Sequence, residues 1–200
     1  MGWEIGVVEA MNQWTVVHPS FDPMIRFLAS YLPEVSTLLL VIAWFAYRRE
    51  DLHSRTGIVC AAVAALSGIV VAAVIGHFWY RPRPFVVLGG MDHPLLAHVA
   101  DASFPSDHAT VVAALAAAFA GTHRRLRYVL IALAMLCGAA RVAVGVHWPT
   151  DILGGFALGT MIGWTTWSLR RHLERFSFWL MHLTWVIRSS HGVAYTRTRS

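Results

Sequence analysis

The 200-residue sequence contains no lysine, and all 16 of its basic residues are arginine. Charged residues make up only 14% of the chain, whereas a soluble domain usually carries about 25%. Hydrophobic residues make up 56%, and the mean hydropathy is +0.54. This composition excludes an ordinary soluble domain and indicates an integral membrane protein.

Cysteine is scarce, and motifs of metal or nucleic-acid binding are missing. Cys60 and Cys137 belong to no CxxC pair and to no spacing typical of metal ligands. Each lies in an apolar run, so both are predicted to be small buried side chains. The formal charge is +5, but no nucleic-acid-binding motif accompanies it. We therefore predict no metal, no cofactor and no nucleic-acid partner, and we interpret the arginines as a topology signal.

Long apolar runs predict an all-α, polytopic membrane helix bundle with about five transmembrane helices. The predicted spans cover residues 24–47, 57–79, 107–122, 126–144 and 149–169. An amphipathic helix at the membrane interface is predicted over residues 3–17, and a further interfacial helix over 176–188. We expect one membrane-embedded domain over residues 1–190 and a disordered tail over 191–200.

Arginines are distributed unequally between the two sides of this bundle. With spans of alternating direction, one side holds Arg48, Arg49, Arg55, Arg124, Arg125, Arg127, Arg170, Arg171 and Arg175, and the other holds Arg26, Arg81, Arg83 and Arg141. The positive-inside rule makes the richer side cytoplasmic. The loop after the second span, the PSDH segment and the stretch around His147 then lie together on the extracytoplasmic side.

Three polar segments meet on that outer face: WYRPRPF at 79–85, SFPSDH at 103–108 and ARVAVGVHWPTD at 140–151. Polar groups in apolar surroundings are expected to form a functional site. Guanidinium groups match phosphate oxygens, and helix N-termini add free N–H groups, so the pattern favours phosphoryl transfer. The predicted phosphate-binding residues are Arg81, Arg83, Arg141, Ser106 and Asp107.

Two histidines and an aspartate are the candidate catalytic residues. A neutral imidazole is a competent nucleophile toward phosphorus, and we assign this role to His147. Asp151 follows four residues later, on the same helical face if the helix starts that early, and is expected to fix the tautomer and stabilise the imidazolium. His108 is expected to be the general acid that protonates the leaving oxygen.

Taken together, the three blocks resemble the signature of the type 2 phosphatidic acid phosphatase superfamily, which shares its site with vanadium haloperoxidases. That signature reads K-x6-RP, then PSGH, then SR-x5-H-x3-D. It is matched here by Arg83-Pro84, by residues 105–108, and by Arg141, His147 and Asp151. The resemblance implies a metal-independent phosphatase domain with a phosphohistidine at His147. It also implies that His108 protonates the leaving group, that Asp151 supports His147, and that Arg83, Arg141 and Ser106 bind phosphate.

Three positions depart from that signature. Gly76 stands where the family has lysine, and Arg81 and His77 are the candidates to supply the missing charge. Ala140 replaces the serine of the third block, and Asp107 replaces the glycine of PSGH.

PSDH, together with RPRPF, resembles the bacitracin-resistance type of undecaprenyl-diphosphate phosphatase. This implies hydrolysis of a polyprenyl diphosphate to the monophosphate at the outer side of the bacterial inner membrane. Such a reaction recycles the carrier lipid for peptidoglycan synthesis and supports bacitracin resistance.

Several alternatives remain open from the sequence. The rival functions are a phosphatidylglycerophosphate or phosphatidate phosphatase of the same superfamily and a non-catalytic lipid-binding relative. Asp107 is interpreted as a helix cap, as the partner of an arginine or as a substrate contact. Glu34 is either an interface residue or a group that orients an active-site side chain. Gly155, Gly159 and Gly163 favour helix packing within the chain, and a homodimer is the alternative.

Overall fold

The computed structural model describes residues 2–47, 51–89, 100–119, 121–122, 124–180 and 182. Within these ranges the regular structure is entirely helical, which confirms the all-α prediction. The helices are α1 (Gly2–Val17), α2 (Asp22–Ala46), α3 (Leu52–Phe78), α4 (Pro84–Val87), α5 (Asp107–Ala118), α6 (Arg124–Ala143) and α7 (Pro149–Ser168). A 3-10 turn at Pro19–Phe21 joins α1 to α2.

Residues 170–180 are also helical, so this segment begins before the helix predicted over 176–188. The rest of that predicted helix, apart from residue 182, lies outside the described residues, as does the predicted tail over 191–200.

Helices occupy all five predicted spans, and the chain is a multi-pass membrane protein. Among the residues that the structure describes, three stretches are long and apolar enough to cross a membrane: Pro19–Ala46, Leu52–Phe78 and Arg124–Ala143. Helix α5 has 12 residues, or about 18 Å of length, against a hydrocarbon core of about 30 Å. Helix α7 has 20 residues, but glycine and threonine dilute its apolar character.

Close contact between α5 and α7 positions the two polar segments at their N-termini. The glycines of α7 at four-residue spacing face α5 and are buried. A Cβ atom on Gly155 would lie 2.7 Å from the Ser106 carbonyl oxygen, and one on Gly163 would lie 2.6 Å from the Ala114 carbonyl oxygen. The predicted role of these glycines in packing within the chain is therefore confirmed, because no larger residue would let the two backbones approach so closely.

Helix α1 packs against α6 and α7 on the side of the bundle where α7 begins. Its buried stripe consists of Glu4, Val8, Asn12 and Thr15, and is thus more polar than an ordinary core-facing stripe. The Asn12 side chain donates to the Ala143 carbonyl oxygen at 3.1 Å. The helix predicted over 3–17 is present, and its buried face makes polar contacts with the protein. The two cysteines are buried, as predicted.

Candidate active site

His147 lies in the loop between α6 and α7, and its side chain is only 2% exposed. Its Nδ1 atom is 2.9 Å from the main-chain carbonyl oxygen of Ser103. Because a carbonyl oxygen can only accept a hydrogen bond, Nδ1 must carry the proton. The Nε2 atom is therefore the one with the free lone pair, and it is the nucleophilic nitrogen of the ring.

Two buried guanidinium groups face this lone pair. Arg141 Nη2 lies 3.0 Å from His147 Nε2, and Arg83 Nη1 lies 3.2 Å from it. Main-chain carbonyl oxygens hold both arginines in place, since Arg83 Nη1 donates to Val146 at 2.9 Å and Arg141 Nη1 donates to Ala29 at 2.9 Å. The structure thus brings the predicted nucleophile and two predicted phosphate ligands together at one point.

Burial and positive charge keep the His147 ring neutral. Desolvation lowers the pKa of His147 to about 3, and the charges of Arg141 and Arg83 act in the same direction. The Asp151 carboxylate acts in the opposite direction. At neutral pH Nε2 is therefore unprotonated, and its lone pair faces the two guanidinium groups.

Asp151 is fully buried beneath the ring, but it does not hydrogen-bond to the ring directly. Its Oδ2 atom is 3.8 Å from His147 Nδ1, which is too long for a hydrogen bond. The same oxygen accepts from the Trp148 N–H at 2.8 Å and from the Ser103 hydroxyl. The two side chains lie close together, as the four-residue spacing predicts, but α7 begins at Pro149, so His147 precedes the helix and the contact is electrostatic. The Ser103 carbonyl fixes the tautomer, and Asp151 acts on the ring through its charge.

Arg81 is placed behind Asp151. Its Nη1 atom donates to Asp151 Oδ1 and, at 2.7 Å, to Thr150 Oγ1, while Nη2 donates to Glu4 Oε2 at 2.8 Å. These contacts make Arg81 a support for the carboxylate. A side chain at Gly76, the position of the family lysine, would start 3.5 Å from the Phe104 carbonyl oxygen.

The PSDH segment forms the start of α5. Ser106 is fully buried and caps the helix, because its Oγ atom accepts from the Ala109 N–H at 3.4 Å. Its own N–H donates to the Asp151 carbonyl oxygen at 3.2 Å and thereby ties α5 to α7. Asp107 is exposed in the first helical turn, where a negative charge is favourable.

His108 is half-buried and opens onto a groove between α2, α3 and α5. The cavity there has a volume of about 620 Å³. Glu34, Asp107 and His108 line its polar part, and its apolar lining includes Leu38, Val41, Ile69 and Val111. The structure therefore brings Glu34 into the same groove as His108.

Three residues at the site were not predicted from the sequence: Glu4, Ser103 and Thr150. Ser103 is part of the SFPSDH segment, but a single serine gives no signal of its contact with a carboxylate 48 residues away. Glu4 and Thr150 are 146 residues apart and meet only in the folded chain. Among the described residues, no group of three or more histidine, cysteine, aspartate or glutamate side chains is arranged to hold a metal ion.

Comparison with known proteins agrees with this arrangement. Residues 56–175 match the model of the PAP2 superfamily. The undecaprenyl-diphosphatase BcrC of Bacillus subtilis (strain 168) is 32% identical over 142 residues, which are 71% of each chain. The putative undecaprenyl-diphosphatase YbjG of Escherichia coli (strain K12) is 38% identical over 138 residues, 68% of this chain and 67% of the relative.

The fold is similar to the crystal structure of LpxE from Aquifex aeolicus. That comparison has a TM-score of 0.66 at 23% identity and covers 80% of this chain and 92% of the other. The family match extends over more than half of the chain and includes all three motif blocks from Arg81 to Asp151. The chain therefore belongs to the PAP2 superfamily of phosphatases.

Proposed function

We propose that the protein hydrolyses a polyprenyl diphosphate, with undecaprenyl diphosphate as the expected substrate, to the monophosphate and inorganic phosphate. The observation that carries this proposal is the buried, neutral His147 ring, whose Nε2 atom lies 3.0 and 3.2 Å from two guanidinium groups. A nucleophile between two fixed cations suits an anionic phosphoryl group. The names of the relatives BcrC and YbjG supply the substrate class.

The reaction proceeds in two steps. In the first, His147 Nε2 attacks the terminal phosphorus, and the bond from that phosphorus to the bridging oxygen breaks. His108 gives a proton to the bridging oxygen, and the polyprenyl monophosphate leaves. In the second, His108 takes a proton from water, the water oxygen attacks the phosphohistidine, and inorganic phosphate departs with restoration of neutral His147.

Arg83 and Arg141 bind the phosphoryl oxygens in both steps of the reaction, and the charge of Asp151 stabilises the phosphorylated imidazolium. No step requires a metal ion or a cofactor. Ser106 and the N–H groups at the start of α5 add donors for phosphate oxygens. Asp107 complements the dipole of α5, and Arg81 contributes through Asp151.

A groove beside His108 offers a path for the lipid tail. Because His108 protonates the leaving oxygen, the tail must extend from the neighbourhood of this side chain. Leu38, Val41 and Ile69 line the groove and are 57%, 47% and 46% exposed. Because these side chains lie on the membrane-spanning helices α2 and α3, a polyprenyl tail could reach the groove from the bilayer without leaving an apolar environment, which favours a lipid diphosphate over a soluble one.

We infer that residues 1–190 form one phosphatase domain in the bacterial inner membrane with the active site on the extracytoplasmic side. The unequal distribution of arginines supports this orientation. Cell-wall carrier recycling and bacitracin resistance would follow from the reaction at that face.

A substrate panel tests the proposed function. Purified protein in excess EDTA is expected to release phosphate from undecaprenyl diphosphate faster than from phosphatidylglycerophosphate or phosphatidate. Preference for either of the latter would assign the chain to the rival lipid phosphatases. Binding of a phosphate analogue without turnover would indicate a non-catalytic lipid-binding protein.

The nucleophile is tested separately. His147→Ala should abolish turnover, whereas His172→Ala, at an exposed position beyond the C-terminal end of α7, should not. Rapid quenching of wild-type protein with substrate labelled in the terminal phosphate should trap an acid-labile, base-stable phosphoenzyme. Full activity of His147→Ala would refute the mechanism.

A further inference from the structure

We propose that Glu4 of helix α1 is a positioning residue of the active site, acting through Arg81 on the Asp151 carboxylate. This inference rests on the proposed function, because it concerns the support of the His147 nucleophile. It makes the N-terminal helix part of the catalytic apparatus as well as a helix at the membrane interface.

The contacts of Glu4 show that its carboxylate is an integral part of the folded structure. Its side chain is 6% exposed, and both of its carboxylate oxygens are used. Oε2 accepts from Arg81 Nη2 at 2.8 Å, and Oε1 accepts from the Thr150 hydroxyl at 2.5 Å. A carboxylate on a membrane-interface helix would ordinarily face water, since burial of a charge is costly unless the charge is paired.

Arg81 carries the effect from Glu4 to the site. One of its terminal nitrogens contacts Glu4 and the other contacts Asp151, so the guanidinium bridges the two carboxylates. Thr150 lies between the same partners, accepting from Arg81 Nη1 and donating to Glu4. The Arg81 guanidinium also lies over the Trp148 ring, 5.5 Å from its centroid. The orientation of the Arg81 guanidinium is therefore fixed by Glu4 at one nitrogen, by Asp151 and Thr150 at the other, and by the Trp148 ring.

The charges explain why a second carboxylate is needed. Without Glu4, the positive charge of Arg81 would offset the negative charge of Asp151 and weaken its field at the ring, 3.8 Å away. With Glu4 present, Glu4, Arg81 and Asp151 together carry a net charge of −1, which favours the imidazolium formed when His147 is phosphorylated. Glu4 thus lets Arg81 orient Asp151 without cancelling its charge.

Substrate binding should depend little on this network. Arg83 is held by Asp101 and by the Val146 carbonyl, and Arg141 by the Ala29 carbonyl. Loss of the Glu4 charge is therefore expected to lower kcat with little change in KM. A purely structural role would instead reduce the amount of folded protein and leave the kcat of the folded fraction unchanged.

The test uses the full chain in detergent with undecaprenyl diphosphate as substrate. Glu4→Gln retains the size and the acceptor oxygen but removes the charge, and kcat is expected to fall about tenfold with KM within twofold of wild type. Glu4→Asp retains the charge and should recover part of kcat. Glu9→Gln is the matched control, because Glu9 lies on the same helix and is exposed.

A double variant that combines Glu4→Gln with Arg81→Met tests whether Glu4 acts through Arg81. Because Glu4 acts through Arg81, adding Glu4→Gln to Arg81→Met should cause no further loss of kcat. Should Glu4→Gln fail to fold, Thr150→Val removes the hydroxyl between the two charges, and the same loss of kcat at constant KM is expected from it.

Wild-type kcat in Glu4→Gln, a loss confined to KM, or additive losses in the double variant would overturn the inference. If wild type is active and His147→Ala is not, such results refute the role of Glu4 alone. If His147→Ala is fully active, the proposed function itself fails.

Discussion

Replacement of Gly155 by alanine should disturb the protein at the junction of its two motif helices. The added Cβ would lie 2.7 Å from the Ser106 carbonyl oxygen and 2.9 Å from the Ala109 Cβ, whereas ordinary contact begins at 3.4 Å. Both neighbours belong to or adjoin the backbone of α5, so no side-chain rotation relieves the clash. The start of α5 must therefore move away from α7 by about 0.7 Å, because a closely packed interior has no free space for the added atom.

The cost can be worked out from two opposing effects. Overpacking a close contact costs about 1–3 kcal/mol, and replacing a helical glycine by alanine returns up to about 1 kcal/mol. The net destabilisation is expected to be about 1–2 kcal/mol, or about 2–8 °C in the melting temperature of a chain of this size. The hydrogen bond from the Ser106 N–H to the Asp151 carbonyl, already 3.2 Å long, would break. Misplacement on this scale is expected to reduce kcat by about 10- to 100-fold.

Two glycine variants provide the controls for melting and phosphate-release assays in detergent. Gly163→Ala meets a similar clash with the Ala114 carbonyl oxygen but lies two helical turns further from the site. It should lose stability comparably and activity less. Gly6→Ala on α1 meets no atom within 4 Å and should melt at or above the wild-type temperature. Wild-type stability and turnover in Gly155→Ala would refute the close approach of α5 and α7.

Three further predictions follow from the site. Ser103→Ala retains the carbonyl that accepts from His147 but removes the hydroxyl bound to Asp151. Because a hydrogen bond to a charged group contributes about 1.5 kcal/mol, kcat should fall roughly tenfold. An unchanged kcat would contradict the role assigned to this hydroxyl. Because the folded pKa of His147 is about 3, the unfolded chain alone takes up a proton below about pH 6.5, and stability should decline as the pH falls from there toward 3. Melting curves over this pH range should fall more steeply in wild type than in His147→Gln, because the other titrating groups are common to both proteins. Dialysis against EDTA should leave phosphate release unchanged, and restoration of lost activity by a divalent cation would argue against a metal-independent reaction.

The helix starts and the motif blocks could be predicted from the sequence because their signals are local. Ser106 and Pro149 mark the starts of α5 and α7 within two residues of the predicted spans. The resemblance of the third block to the superfamily signature also indicated that Arg141 and His147 share a site. Burial of the two cysteines followed from the apolar runs that surround them.

The supporting contacts could not be predicted because they are long-range. Periodicity indicates which face of a helix is buried, but it does not indicate that Glu4 lies against a residue 146 positions away. The pairing of Asp151 with His147 was expected from four-residue spacing, which requires both residues to be helical. The helix begins between them, at Pro149, so the two side chains are neighbours but the ring donates its hydrogen bond to the Ser103 carbonyl and not to the carboxylate.

That carbonyl belongs to the main chain, so the site should tolerate substitution at position 103 better than a change in the length of the loop. Any amino acid at position 103 would present the same oxygen, so the protonation of the ring nitrogen does not depend on which side chain stands there. The number of residues between position 103 and the start of α5 is what must stay constant, because an insertion or deletion would move the oxygen away from the ring. In this segment the length of the loop, rather than the identity of a residue, specifies the reactive form of the nucleophile.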